Sequence, residues 1–110
     1  MDVPDGWDPE TVFDVFGSES ARRILALASE GPVTADDLAD HLSVSQPTVY
    51  RRVEELVEYD LLAERDHVDD EGNQYNTYVT NLDSVTFRVE DGKFVVDLQL
   101  ARNVADRVKD

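Results

Sequence analysis

The sequence predicts an α+β fold in which about four helices come first, two β-hairpins follow, and a short helix closes the chain. Three observations carry that expectation. Apolar residues recur at helical spacing as far as about residue 59. Each helical stretch opens on a residue suited to cap it. From Leu61 onward the apolar period shortens to two, interrupted by polar turns.

Each element can be justified in order. Asp8-Pro9-Glu10 reads as a helix start, with Asp8 as cap and Pro9 in the first turn. Val12, Phe13 and Phe16 are expected on one face, and Gly17 is expected to close this helix in the left-handed conformation. Ser18 opens the next helix, whose stripe is Ala21, Ile24, Leu25, Leu27 and Ala28, and Gly31-Pro32 ends it. Thr34 and Asp37 have the spacing of a capping box, and Val33 is placed to staple onto Leu38. Ser45 repeats the device, with Pro47 in the first turn and Val44 facing Val49. That helix runs to about Tyr59 on the stripe Val49, Val53, Leu56 and Val57. Ser43 and Asp60 both follow helices, and Asp tolerates the left-handed region better than most residues.

Leu62 to Val68 and Gln74 to Thr80 read as strands around the polar turn Asp69-Asp70-Glu71-Gly72-Asn73. A second hairpin follows, with Val85, Phe87 and Val89 alternating, a turn at Glu90-Asp91-Gly92, then Phe94, Val96 and Leu98. Residues 100–109 carry Ala101, Val104, Ala105 and Val108 at helical spacing. The expected division is an N-terminal helix over 1–17, a central unit over 18–80, and a candidate dimerisation element over 81–110.

Composition narrows the function classes. The chain has 110 residues, one domain's worth, and no cysteine, which removes disulfides, thiolate metal sites and cysteine nucleophiles. No apolar run approaches the roughly 20 residues of a membrane span, and the N-terminal stretch has neither a basic nor an apolar region, so a soluble, cytoplasmic protein is expected. Twenty-five acids face ten bases, giving a formal net charge of −15, and eight of those bases are arginine. The acids are spread over every segment. Such a surface repels itself at ordinary salt; at molar salt the Debye length falls to about 3 Å and the repulsion is screened. Acid-rich and lysine-poor, the composition resembles that of proteins from salt-accumulating halophilic archaea.

Two short helices joined by a three-residue turn, then a longer helix and a hairpin, is the order of a winged helix. The stretch LADHLSVSQPTVYRRVEEL, from Leu38 to Leu56, carries a helix-turn-helix pattern. With ARRILALASEGPVTADD before it and EGNQYNTYVT after it, residues 18–80 resemble winged helix-turn-helix regulators of the ArsR type, in particular small ones of halophilic archaea. The resemblance implies sequence-specific binding of double-stranded DNA by a transcriptional regulator, with the helix over about residues 46–59 in the major groove.

The residues agree with that implication. A reading helix offers small polar groups at its N-terminal end and cations where it passes phosphates. Ser45, Gln46 and Thr48 supply the first; Arg51 points away from the apolar stripe, with Tyr50 and Arg52 flanking it. Arg65 is the basic residue of the first hairpin, with His67 nearby. Other roles exist for each: Ser45 caps its helix, Arg52 can pair with Glu55, and Arg22-Arg23 can pair with Glu19 or lie along their own helix. The hairpin tip, rich in Asp and Glu, departs from the usual basic wing. It either stays off the DNA or meets phosphates through hydrated cations.

Neither catalysis nor a cofactor is expected. Asp37 and His41, at i and i+4, belong on a solvent face rather than on a metal, and the run from Asp66 lacks the glycine and ligands of a calcium loop. A homodimer is expected, since two-fold readers set two helices about 34 Å apart, with Val12/Phe13/Phe16 and Ala101/Val104/Ala105/Val108 as candidate faces. The competing function is a winged-helix protein-interaction module that never binds DNA, favoured by the net charge and the acidic tip. A DNA mimic is a third reading.

Overall fold

A computed structural model describes residues 9–101. Asp8, the expected first cap, and most of the helix expected over 100–109 lie outside the described residues. The chain forms an α+β fold of four helices followed by two antiparallel β-hairpins: α1 (Pro9–Gly17), α2 (Glu19–Ser29), α3 (Ala35–Leu42), α4 (Gln46–Glu58), β1 (Leu62–Val68), β2 (Gln74–Thr80), β3 (Leu82–Glu90) and β4 (Lys93–Leu100). The hairpins β1–β2 and β3–β4 are separate two-stranded sheets.

The helix ends follow from their capping chemistry. At α3 the Thr34 hydroxyl accepts from the Asp37 N–H and the Asp37 carboxylate accepts from the Thr34 N–H, both at 3.1 Å, so the expected capping box is closed. Ser43 leaves this helix in the left-handed region (φ 56°), its N–H donating to the Ala39 carbonyl at 2.9 Å. Ser45 caps α4 through the Thr48 N–H. At the other end Asp60 takes φ 63°. The Leu61 N–H then donates to Leu56 O at 2.9 Å and the Asp60 N–H to Val57 O at 3.0 Å, the two bonds of a Schellman ending. That ending turns the chain out of α4 and into β1.

Helix α1 departs from expectation twice. Val12 and Val15 are its buried residues, whereas Phe13 is 36% exposed and stacks on Phe87 of β3 with ring centroids 5.4 Å apart. Positions 12, 15 and 16 form the inward stripe, and Phe13 stands about 100° from Val12, on the flank toward the second hairpin. Gly17 is not left-handed either; among the described residues the glycines at positive φ are Gly31, Gly72 and Gly92. Here the chain passes straight into α2, and the exposed Phe16 carbonyl is satisfied by the Arg22 guanidinium at 2.8 Å.

The core gathers Val15, the α2 stripe Ala21, Ile24, Leu25 and Ala28, then Leu38 and Leu42, the α4 stripe Val49, Val53 and Leu56, and Leu61, Leu62 and Tyr78. One residue between α2 and α3 extends the first sheet: Val33 exchanges both backbone bonds with Tyr78, at 3.0 and 2.8 Å. The first hairpin is thereby tied to the helices from both sides. The second hairpin pairs Val85 with Leu98, Phe87 with Val96 and Val89 with Phe94, so all six share one face. Val96, Leu98 and Ala101 are buried but lie outside the main cluster, as does Val12. The two hairpins meet at Asn81, whose N–H donates to Leu61 O at 2.8 Å and whose carbonyl accepts from Ala101 N at 2.7 Å.

Candidate functional site

The N-terminal half of α4 is where the predicted site residues converge. With Val49, Val53 and Leu56 packed inward, Gln46, Tyr50 and Arg51 are exposed and Thr48 is half-buried. The Ser45 and Thr48 hydroxyls lie 3.0 Å apart, so the cap and the first-turn threonine share a hydrogen bond. The Gln46 amide nitrogen donates to a carboxylate oxygen of Asp36, in the first turn of α3. Asp36 went unrecognised in the sequence reading, because nothing local marks a residue ten positions upstream as a neighbour of Gln46.

Arg51 and Arg52 do not act together. Arg51 is exposed and, among the described residues, makes no ion pair. Arg52 turns about 100° further round the helix, where its guanidinium Nη1 meets Glu55 at 3.0 Å. It lines a pocket between α1 and α4 with Thr11, Asp14, Val15, Glu55 and Tyr59, and its Nε is buried there without a hydrogen-bond partner. Arg52 therefore belongs to the joint between these helices. Arg22 and Arg23 are also engaged internally: Arg22 closes α1, and Arg23 donates to the His41 carbonyl in the last turn of α3 at 3.0 Å. Sequence spacing could not separate the outward Arg51 from Arg22 and Arg23, which bond the ends of neighbouring helices.

Arg65 is exposed on β1, opposite Thr77 of β2. On the same sheet face His67 bonds the Thr77 hydroxyl at 2.8 Å and stacks on Tyr75, with centroids 5.0 Å apart. The other face meets the helices. There an open groove between α3, α4 and the first hairpin is lined by Asp36, Tyr50, Asp69, Gln74, Asn76 and Tyr78, among others. Burial, followed by the nearby Glu64 carboxylate, holds the Tyr78 hydroxyl above the usual tyrosine range. At the hairpin tip Asp69 Oδ1 accepts from the Glu71 and Asn73 N–H groups, both at 2.9 Å. The Asn73 backbone bond in particular draws the Asp69 carboxyl below its ordinary range. The acidic tip is thus a built turn.

Asp37 and His41 have local duties. The Asp37 carboxylate is held by the capping box, and His41 Nδ1 lies 2.9 Å from the Asp37 carbonyl, to which it donates. Among the described residues no helix is long and apolar enough to cross a membrane.

Four helices with two hairpins behind them leave one helix end, the start of α4, offering polar and cationic side chains to solvent. Residues 9–77 match the family described as the HVO_A0261 N-terminal domain, and the chain belongs to that family. No curated protein matches the chain.

Proposed function

We propose that this protein is a winged helix-turn-helix transcriptional regulator of the ArsR type. It binds double-stranded DNA sequence-specifically, with α4 in the major groove, as a homodimer in a salt-rich cytoplasm, and performs no catalysis. The observation that carries this reading is the exposed N-terminal half of α4. Residues 41–53 form the longest stretch of the chain without a carboxylate, in a sequence where acids outnumber bases 25 to 10. That stretch presents Gln46, Thr48 and Arg51 on a helix whose opposite side is core. Polar and cationic side chains of this kind suit a phosphate-lined groove, and the Asp36 carboxylate that approaches them is taken up by Gln46.

The chain order supports the winged-helix assignment. Val33 pairs with β2, so the segment from α2 to β2 runs helix, bridging strand residue, helix, helix, strand, strand. In this arrangement β1–β2 is the wing and Arg65 is its phosphate contact.

Binding to genomic DNA fragments in about 2 M KCl, a salt that screens the surface, tests the function. Wild type is expected to select a subset of fragments, and Arg51→Ala to weaken that binding by about tenfold or more. Arg52→Ala is expected to act mainly on stability. Equal binding by wild type and Arg51→Ala would remove α4 as the reading helix. A folded wild type that binds no fragment would leave the alternative, a protein-interaction module, which the acidic tip and the net charge of −15 favour.

The homodimer has support in one surface. Phe13, Phe87, Phe94 and Val89 remain 36, 41, 60 and 70% exposed on a face shared by α1 and the second hairpin. Phe13 also meets Phe94 edge-on, at 5.7 Å. Contiguous aromatic exposure of this kind marks association surfaces. Sedimentation in the same salt is expected to give a dimer for wild type and a monomer for Val89→Ser/Phe94→Ser; a monomeric wild type would overturn the dimer.

A further inference from the structure

Among the polar groups at the start of α4, Gln46 is held by a side chain from another helix. A carboxylate only accepts hydrogen bonds, so the Asp36 contact fixes which way the Gln46 amide faces: Nε2 toward Asp36, Oε1 away from it. Both ends of this contact are anchored. Asp36 lies in the first turn of α3, whose start is set by the Thr34–Asp37 capping box. Gln46 opens α4 immediately after the Ser45 cap and is followed by Pro47, whose ring fixes the backbone there. The bond is also charge-assisted, the stronger class.

An amide free to flip reads ambiguously, because it can turn an acceptor or a donor toward a base. Held by Asp36, Gln46 presents Oε1 outward and keeps one N–H of Nε2 in reserve. Oε1 needs a donor on the base edge. In the major groove only adenine N6 and cytosine N4 supply one, and adenine alone offers the N7 acceptor beside it for the remaining N–H. Guanine shows only acceptors at O6 and N7, so it faces Oε1 with no proton to share.

We propose that Asp36 is a specificity-determining positioning residue, whose carboxylate locks the Gln46 amide in the orientation that selects adenine and rejects guanine. This rests on α4 being the groove-reading helix. Asp36 acts through Gln46, without contacting the base, and its negative charge lies beside the DNA as the cost of that selectivity.

The experiment is selection from a randomised double-stranded DNA library at fixed KCl, with wild type, Gln46→Ala, Asp36→Asn and Asp40→Asn. Asparagine keeps the size of Asp36 but can donate as well as accept, so the Gln46 amide becomes free to face either way. Asp40, exposed on the same helix α3, controls for the loss of one negative charge. Wild type is expected to show one position per half-site where adenine is preferred over guanine by about 5- to 150-fold, the range for a bidentate pair. Gln46→Ala and Asp36→Asn are expected to bring that preference within about twofold, leaving the other positions unchanged. Asp40→Asn is expected to strengthen binding to all sequences alike and keep the preference. Adenine preference surviving in Asp36→Asn would overturn the proposal, as would a wild-type preference indifferent to Gln46→Ala; in both cases the regulator itself stands. A wild type with no base preference at any position would overturn the groove-reading helix, and this proposal with it.

Discussion

Leu56→Ala is expected to lower the free energy of unfolding by about 2–5 kcal/mol, the range for emptying a packed leucine site. A domain of this size has about 5–15 kcal/mol in total, so the variant stands close to unfolding. Leu56 is fully buried at the end of the α4 stripe. Its carbonyl accepts the Leu61 N–H that turns the chain into β1. The side chain belongs to the one cluster that joins the helices to the start of the first hairpin, so the void would lie beside the Schellman ending. Denaturant titration at fixed KCl checks this through the shift in midpoint. A loss under about 1 kcal/mol would mean that the joint between α4 and β1 is looser than the burial indicates.

The protein is also expected to be more stable in 2 M KCl than in 0.1 M KCl by on the order of 3 kcal/mol. The Cα radius of gyration is 15.3 Å over the described residues, and the whole chain carries a formal charge of −15. Spreading that charge over a sphere of similar size, and over an unfolded coil about twice as wide, gives the difference in self-repulsion; raising the salt removes most of it. Pairing does little to offset the repulsion, since the ion pairs among the described residues are Arg52–Glu55, Arg88–Glu90 and Arg88–Asp97. At about 4–8 °C per kcal/mol, the midpoint should rise by roughly 15 °C. Melting curves across the salt series measure it, and a flat or falling midpoint would show that the acids are already compensated within the fold.

The sequence was most legible where the controlling interaction is local. The Thr34–Asp37 box and the Ser45 cap involve residues three apart, and the first hairpin is bounded at Leu62, Val68, Gln74 and Thr80 as its alternation indicates. Left-handed Ser43 and Asp60 were likewise visible from their positions after helices. What escaped was non-local. The pairing of Val33 with Tyr78 spans most of the central unit and leaves no periodic mark. Spacing puts Phe13 on one face with Val12 and Phe16, yet a hairpin more than seventy residues later supplies its partners. In the candidate site, Gln46, Thr48, Tyr50 and Arg51 sit where helical geometry puts them, and Arg52 pairs with Glu55 of its own helix, as its spacing allows. Asp36, on α3, takes its role from its bond to Gln46, which the local pattern of α4 does not register.

Arg22 and Arg23 fasten helices in a way that does not depend on their neighbours' side chains. Each leaves α2 to grip a backbone carbonyl at the end of a neighbouring helix, Phe16 of α1 and His41 of α3. The acceptor is main chain, so it is present whatever side chains the neighbouring helices carry. Substitutions of the side chains on α1 and α3 therefore leave both acceptors of these fastenings in place. The joints among the first three helices thus depend on the main chain of α1 and α3 and not on how acidic their exteriors are.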